Sequence, residues 1–117
     1  MKGETVGGLL HWVHNGKISR CFTTGSVEAP TFSAAGFIVE NYGGVIEDCW
    51  TRCSVIGPIQ RAGFVRYNGS GAIRRSYSAG LISEGYRDGF CDSNYATIDD
   101  CFWDIEVSGH TSSNGGT

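Results

Sequence analysis

Apolar and polar residues alternate through much of the chain, and the alternation recurs in register with itself. In "CFTTGSV", Cys21, Thr23, Gly25 and Val27 share one face of an extended segment, while Phe22, Thr24 and Ser26 share the other. The same parity puts Cys49, Thr51, Cys53 and Val55 on an inner face further along, and then Ser76, Ser78, Gly80 and Ile82. Period two is the mark of half-buried strands, and no window shows a competing helical period.

These segments belong to an internal repeat. Gly-apolar-apolar triplets begin at Gly8, Gly36, Gly63 and Gly89, so the steps are 28, 27 and 26 residues. An isoleucine follows each triplet, at Ile18, Ile46, Ile73 and Ile98. Three residues later stands a small side chain (Cys21, Cys49, Ser76, Cys101), and directly after it an aromatic (Phe22, Trp50, Tyr77, Phe102). Asparagine and glycine fill the gap between triplet and isoleucine, as in "ENYGG" and "YNGSG". The repeats run over about residues 8–35, 36–62, 63–88 and 89–117 of a single domain, 1–117. A unit of this length, made of short strands and Asn/Gly turns, predicts one coil of a parallel β-solenoid. Leucine-rich repeats would need a leucine lattice, and a propeller blade roughly 40 residues. The expected fold is therefore all-β, a β-solenoid of about four coils.

Stacking gives the two positions between isoleucine and the small residue a meaning. They read Ser19-Arg20, Glu47-Asp48, Arg74-Arg75 and Asp99-Asp100, so the sign of charge alternates from copy to copy. Laid one above another about 4.8 Å apart, these residues would give each copy opposite charges on either side. Each exposed pair contributes only ~0.2–1 kcal/mol, which penalises a slip of one coil rather than driving folding. The plainer reading is a solvated polar face whose signs are accidental.

Composition narrows the class. A length of 117 residues with 40% hydrophobic side chains suits one globular domain with a real core. Eighteen glycines against two prolines, without a collagen period, predict many tight turns between short strands. A net charge of −3 with interleaved signs points to neither nucleic acid nor a polybasic membrane contact. No run approaches the ~20 apolar residues of a membrane span. "MKGETVGGLLHWV" is too short and too polar in its apolar part for a signal peptide, which leaves a cytoplasmic chain or a mature piece of an exported one. Five cysteines is an odd number, so at least one cannot pair within the chain.

The columns resemble the GLUG-type repeat of bacterial adhesin-like surface proteins. "VGGLL" (Val6–Leu10) and "ISRCFTTGSV" (Ile18–Val27) carry the likeness, and "CFWDIEVSGHTSSNGG" (Cys101–Gly116) is similar to the segment that closes such arrays. The resemblance covers nearly the whole chain. It implies a right-handed parallel β-helix at the cell surface or outside the cell, with an adhesive or scaffolding role and no catalysis. Only four copies are present, where family members usually continue.

Several side chains could carry chemistry. Stacked Cys21 and Cys49 would fall within disulfide range, although Ser76 in the same column favours simple packing. His11 and His14 lack a matching acid or cysteine for a metal, and no cofactor is expected. Asp48, Asp99 and Asp100 share a column, as carboxylates do in β-helical glycosidases or lyases. The arginines interleaved with them suit mutual neutralisation better than a catalytic pair. "NGS" at Asn68 matches a glycosylation acceptor but is common in turns.

The outward aromatics are the leading binding candidates. Phe22, Trp50, Tyr77 and Phe102 would form an exposed ladder fit for a carbohydrate or protein ligand or for self-association, with Asp104 and Glu106 nearby to accept sugar hydroxyls. Alternatively the rings merely stack on one another, or the loops at Glu28–Ser33 and Ile56–Arg61 cover them. Trp12 and Trp103 break the columns and could plug the two ends. Exposed strand edges at those ends predict a homo-oligomer, expected to be a dimer. The functions that fit are a non-enzymatic binding and assembly module, a small polysaccharide-processing enzyme, or a structural spacer.

Overall fold

The computed structural model describes residues 6–28, 33–56, 60–82, 87–108 and 113. Copy 1 contributes β1 (Val6–Gly7), β2 (Leu10–His14), β3 (Lys17–Ser19), β4 (Phe22–Thr23) and β5 (Ser26–Glu28). Copy 2 contributes β6 (Ser33–Ala35), β7 (Ile38–Glu47), β8 (Trp50–Thr51) and β9 (Ser54–Ile56). Copy 3 holds β10 (Gln60–Ala62), β11 (Val65–Arg74) and β12 (Tyr77–Ser78). Copy 4 holds β13 (Arg87–Asp88), β14 (Cys91–Asn94), β15 (Thr97–Asp99) and β16 (Phe102–Trp103), followed by one helical turn, α1 (Ile105–Ser108). The described residues are all-β apart from that turn.

Every strand pairing among the described residues is parallel, and each joins like positions of successive copies. The sheets run β1-β6-β10-β13, β2-β7-β11-β14 with β3 and β15 alongside, β4-β8-β12-β16, and β5-β9. Ile18 faces Ile46, Ile46 faces Ile73, and Ile73 faces Ile98. A bridge from Val55 to Ile82 continues the short sheet into copy 3.

Period-two burial follows directly. Thr23, Val27, Thr51, Cys53, Val55, Ser76, Ser78 and Ile82 are buried, and Gly80 with them, whereas Gly25 is exposed. The second residues of the last three glycine triplets lie in the core, whereas Leu9 of the first is exposed. Phe37, Phe64 and Phe90, all fully buried, stack with centroids 4.6 and 4.7 Å apart. The triplet glycines themselves lie against neighbouring backbone: a Cβ on Gly36 would meet the carbonyl oxygen of Gly63 and the side chain of Thr51. The hydroxyls of Thr23 and Thr51 sit 2.7 Å apart, and both reach the Gly36 carbonyl, at 2.8 and 3.0 Å. In copy 4 the indole of Trp103 takes the place of these hydroxyls and lies over Gly89. Trp103 thus packs onto the core at that end. Trp12 does not plug the other end: it stands 62% exposed on β2, because its strand parity points it outward beside Glu40.

The charged column turns a corner in the chain. Arg20, Asp48, Arg75 and Asp100 all adopt left-handed backbone, with φ of 52, 56, 47 and 50°. Aspartate tolerates this region and arginine does so less readily. The next residue clasps the corner in every copy by donating to the carbonyl two residues back. Cys21 donates to Ser19, Cys49 to Glu47, Ser76 to Arg74 and Cys101 to Asp99, at 3.3, 3.2, 2.9 and 3.2 Å. A small side chain with a donor is what the column requires, and none of the five cysteines is in a disulfide.

A polar ladder runs through the interior. Asn41 donates to Asn68 at 3.0 Å and Asn68 to Asn94 at 2.9 Å, with Asn41 and Asn68 fully buried. Asn41 also binds both backbone groups of Gly44, and Asn68 donates to the Thr97 carbonyl. Burial with its amide engaged removes Asn68 as a glycosylation acceptor in the folded chain.

Candidate functional site: the outward aromatic column

The register of β4, β8, β12 and β16 aligns Phe22 with Trp50, Trp50 with Tyr77, and Tyr77 with Phe102. The corner at Arg20, Asp48, Arg75 and Asp100 fixes their direction, since each clasping residue points inward and the aromatic after it points out. Phe22 and Phe102 are 59% and 53% exposed, and Trp50 and Tyr77 are half-buried. The Phe22 and Trp50 rings stack at 4.6 Å and 8°, and those of Trp50 and Tyr77 at 5.9 Å and 7°. Trp50 and its neighbours therefore occupy one another's faces and present ring edges to solvent. Arg52 adds a cation 5.2 Å from the Trp50 ring centroid.

A shallow groove of about 420 Å³ opens beside the ladder, lined by Arg52, Tyr77, Ser78, Ala79, Phe102, Trp103 and Asp104. Asp104 thus lies next to the aromatics, but one carboxylate oxygen accepts the Val107 N–H at 2.9 Å and caps α1. Glu106 is exposed on that helical turn and does not line the groove. Of the loops that could have covered the ladder, residues 29–32 and 57–59 lie outside the described residues.

The charged column is closely paired. Arg75 donates to Asp48 at 2.8 and 3.1 Å and to Glu47 at 3.2 Å, Lys17 approaches Glu47 at 2.7 Å, and Arg74 approaches Asp99 at 3.8 Å. The Arg75 guanidinium holds the Asp48 carboxyl below its ordinary range, and Lys17 does the same for Glu47. Carboxyls in this state are poor proton donors, the opposite of what a general acid needs. Burial pushes the Cys49 thiol up and the Cys101 thiol to about 11. Among the described residues no group of three or more His, Cys, Asp or Glu is placed to hold a metal ion.

A second aromatic surface went unrecognised in the sequence. Tyr42, Tyr67 and Tyr95 step diagonally across the large sheet with centroids 5.6 and 5.7 Å apart, and Tyr95 is 75% exposed. Beside them Trp12, His14, Glu40 and Tyr42 line a groove of about 360 Å³. Glu40 is salt-bridged to Arg66 at 3.1 Å, and its hydrogen bond to Tyr42 raises that phenol above its usual value. The spacing is uneven because Tyr67 precedes the ladder asparagine of its copy, Asn68, whereas Tyr42 and Tyr95 follow Asn41 and Asn94.

No helix among the described residues is long and apolar enough to cross a membrane. No protein-family model, no curated protein and no solved structure matches this chain.

Proposed function

We propose that the four copies wind as one right-handed parallel β-solenoid of about four coils, and that the chain is a non-enzymatic, adhesin-like binding and assembly module working through its aromatic ladder. Support for the winding is the continuous set of parallel pairings at offsets of 25 to 28 residues. The likeness of "ISRCFTTGSV" and the closing segment to GLUG-type repeats favours the same fold and a surface role.

The observation that carries the binding role is the alignment of Phe22, Trp50, Tyr77 and Phe102 on one outward face. Rings that already stack on each other offer edges, which suit a flat apolar protein surface better than a sugar ring seeking an aromatic face. A second ladder of the same kind is such a surface, and the module self-associates as a dimer through it. Light scattering at micromolar concentration should give twice 12.6 kDa, and Phe102→Arg should give the monomer. A wild-type chain that stays strictly monomeric overturns the dimer.

A carbohydrate ligand is the second reading, favoured at one place only, where Arg52 and Asp104 flank Tyr77 and Phe102. Glycan-array binding lost in Tyr77→Ala would support it. Reducing-sugar release abolished by Asp99→Asn or Asp100→Asn would instead argue for an enzyme.

A further inference from the structure

The two ends of the stack are finished differently. At the copy 4 end the Ser113 hydroxyl accepts the N–H groups of Phe90 and Cys91, and Trp103 stands over Gly89. At the copy 1 end, among the described residues, β1, β2, β4 and β5 are each the last strand of their sheet, and β3 pairs with β7 alone. Leu10, Trp12 and Phe22 remain 43%, 62% and 59% exposed along that edge.

The backbone of the edge points outward in a defined way. Val45 donates to the Gly16 carbonyl, Trp50 to that of Cys21 and Arg52 to that of Thr23. The matching groups one copy earlier, the N–H of Lys17, Phe22 and Thr24, therefore face away from the stack. Arg20 donates to the Glu47 carbonyl, Asp48 to that of Arg74 and Arg75 to that of Asp99, so the carbonyl of Ser19 faces outward too.

Charge states what belongs there. Glu47 is paired from both sides, by Lys17 and by Arg75, while Arg74 and Arg75 meet acids of copies 4 and 2. Among the described residues copy 1 meets acids on one side only: Lys17 reaches Glu47 yet stays 61% exposed, and Arg20 acts on Asp48 through the same column. A further strand that keeps the alternation must be acidic. In a second copy of this chain the acidic copy 2 lies inside the stack, and at the edge of its acidic copy 4 Ser113 occupies the N–H groups of Phe90 and Cys91 and Trp103 stands over Gly89.

We propose that the β3–β4 edge is a docking site for an extended acidic peptide of another protein. The strand it fits carries an aliphatic residue, two carboxylates, a small residue and an aromatic in succession, set against Ile18, Ser19, Arg20, Cys21 and Phe22. Main-chain hydrogen bonds to Lys17, Ser19, Phe22 and Thr24 hold it, and the two cations select it. The aromatic extends the ring stack on the outer face of Phe22.

The chain supplies its own probes. A labelled peptide of residues 43–52, with Cys49→Ser to prevent oxidation, is the acidic strand, and one of residues 70–79 is the basic control. The acidic peptide should bind about tenfold or more tightly than the basic one, weaken in about 0.5 M salt, and shift the amide resonances of Lys17, Arg20, Phe22 and Thr24. Arg20→Asp with Lys17→Ala should reverse the preference. Aspartate already sits at this backbone angle in Asp48 and Asp100, so the variant keeps the corner. No binding of either peptide at millimolar concentration, equal binding of both, or shifts confined to Trp50, Tyr77 and Phe102 would each overturn the proposal. Loss of the ladder dimer in Phe102→Arg leaves this outcome unaffected, which separates the two readings.

Discussion

The side-chain amide of Asn41 donates to that of Asn68 across adjacent copies at 3.0 Å, with neither residue exposed to solvent. A buried amide is costly unless its groups are engaged, and here each asparagine satisfies the next. Asn68→Ala should therefore destabilise the fold by about 2–4 kcal/mol in urea unfolding, because it empties a buried site and leaves an N–H of the buried Asn41 amide without its acceptor. Asn94→Ala, at the half-buried end of the ladder, should cost about 1 kcal/mol.

Two sets of stacked rings should respond differently to truncation. Phe64 lies between Phe37 and Phe90 at zero exposure, so Phe64→Ala should cost about 3–5 kcal/mol. Phe22 stacks as closely on Trp50 but is 59% exposed, and Phe22→Ala should cost less than about 1 kcal/mol. Thermal unfolding of the pair checks the contrast. A ladder whose loss hardly affects stability is free to serve a partner.

The charged column should make the protein acid-sensitive. Asp48 and Glu47 titrate below their unfolded values, Asp48 through Arg75 and Glu47 through Lys17. For depressed carboxyls the contribution is fully present above the unfolded value near 4 and is lost as pH falls through the lower folded values. Melting temperature should hold from neutrality to about pH 5 and fall below about pH 4. Arg75→Asn, which removes the cation and tolerates the left-handed corner, should flatten that fall.

Thiol chemistry should follow burial. Cys21 is half-buried while Cys49, Cys53, Cys91 and Cys101 are buried. Native alkylation near pH 8, followed by mass spectrometry, should mark Cys21 first and the other four only after unfolding. Cys101 is raised to about 11, so its neutral form favours the fold. That contribution is intact below the ordinary thiol value and declines as pH rises from about 8.5 toward the folded value.

Glycine at the triplet positions should be irreplaceable. A methyl on Gly36 collides with the Gly63 carbonyl, which is fixed backbone and cannot turn aside. Gly36→Ala should lower stability by about 1–3 kcal/mol or more, read by the midpoint of chemical unfolding.

The isoleucine column, the inner face of Thr51, Cys53 and Val55, and the alternating charges are legible in the sequence because all three repeat at a nearly constant step. The asparagine ladder is not, although Asn41, Asn68 and Asn94 keep that step. An Asn beside glycines reads as a turn, and only the neighbouring copy makes its burial tolerable. Tyr42, Tyr67 and Tyr95 escape notice because Tyr67 precedes its ladder asparagine while the other two follow theirs, so the three keep no constant step. The left-handed corner is hidden behind arginine and aspartate where glycine would have advertised it. For the aromatic ladder the outward direction is readable from parity, whereas the ring planes that decide between sugar and protein depend on three-dimensional stacking.

Alternating charge also dictates how a gene for such a chain can grow or shrink. Deleting one unit would lay Lys17 and Arg20 against Arg74 and Arg75, whereas deleting two neighbours restores opposites. Duplications and losses in this lineage should thus survive as doublets, such as the 55 residues from Gly8 to Ala62, and viable lengths should differ by an even number of units.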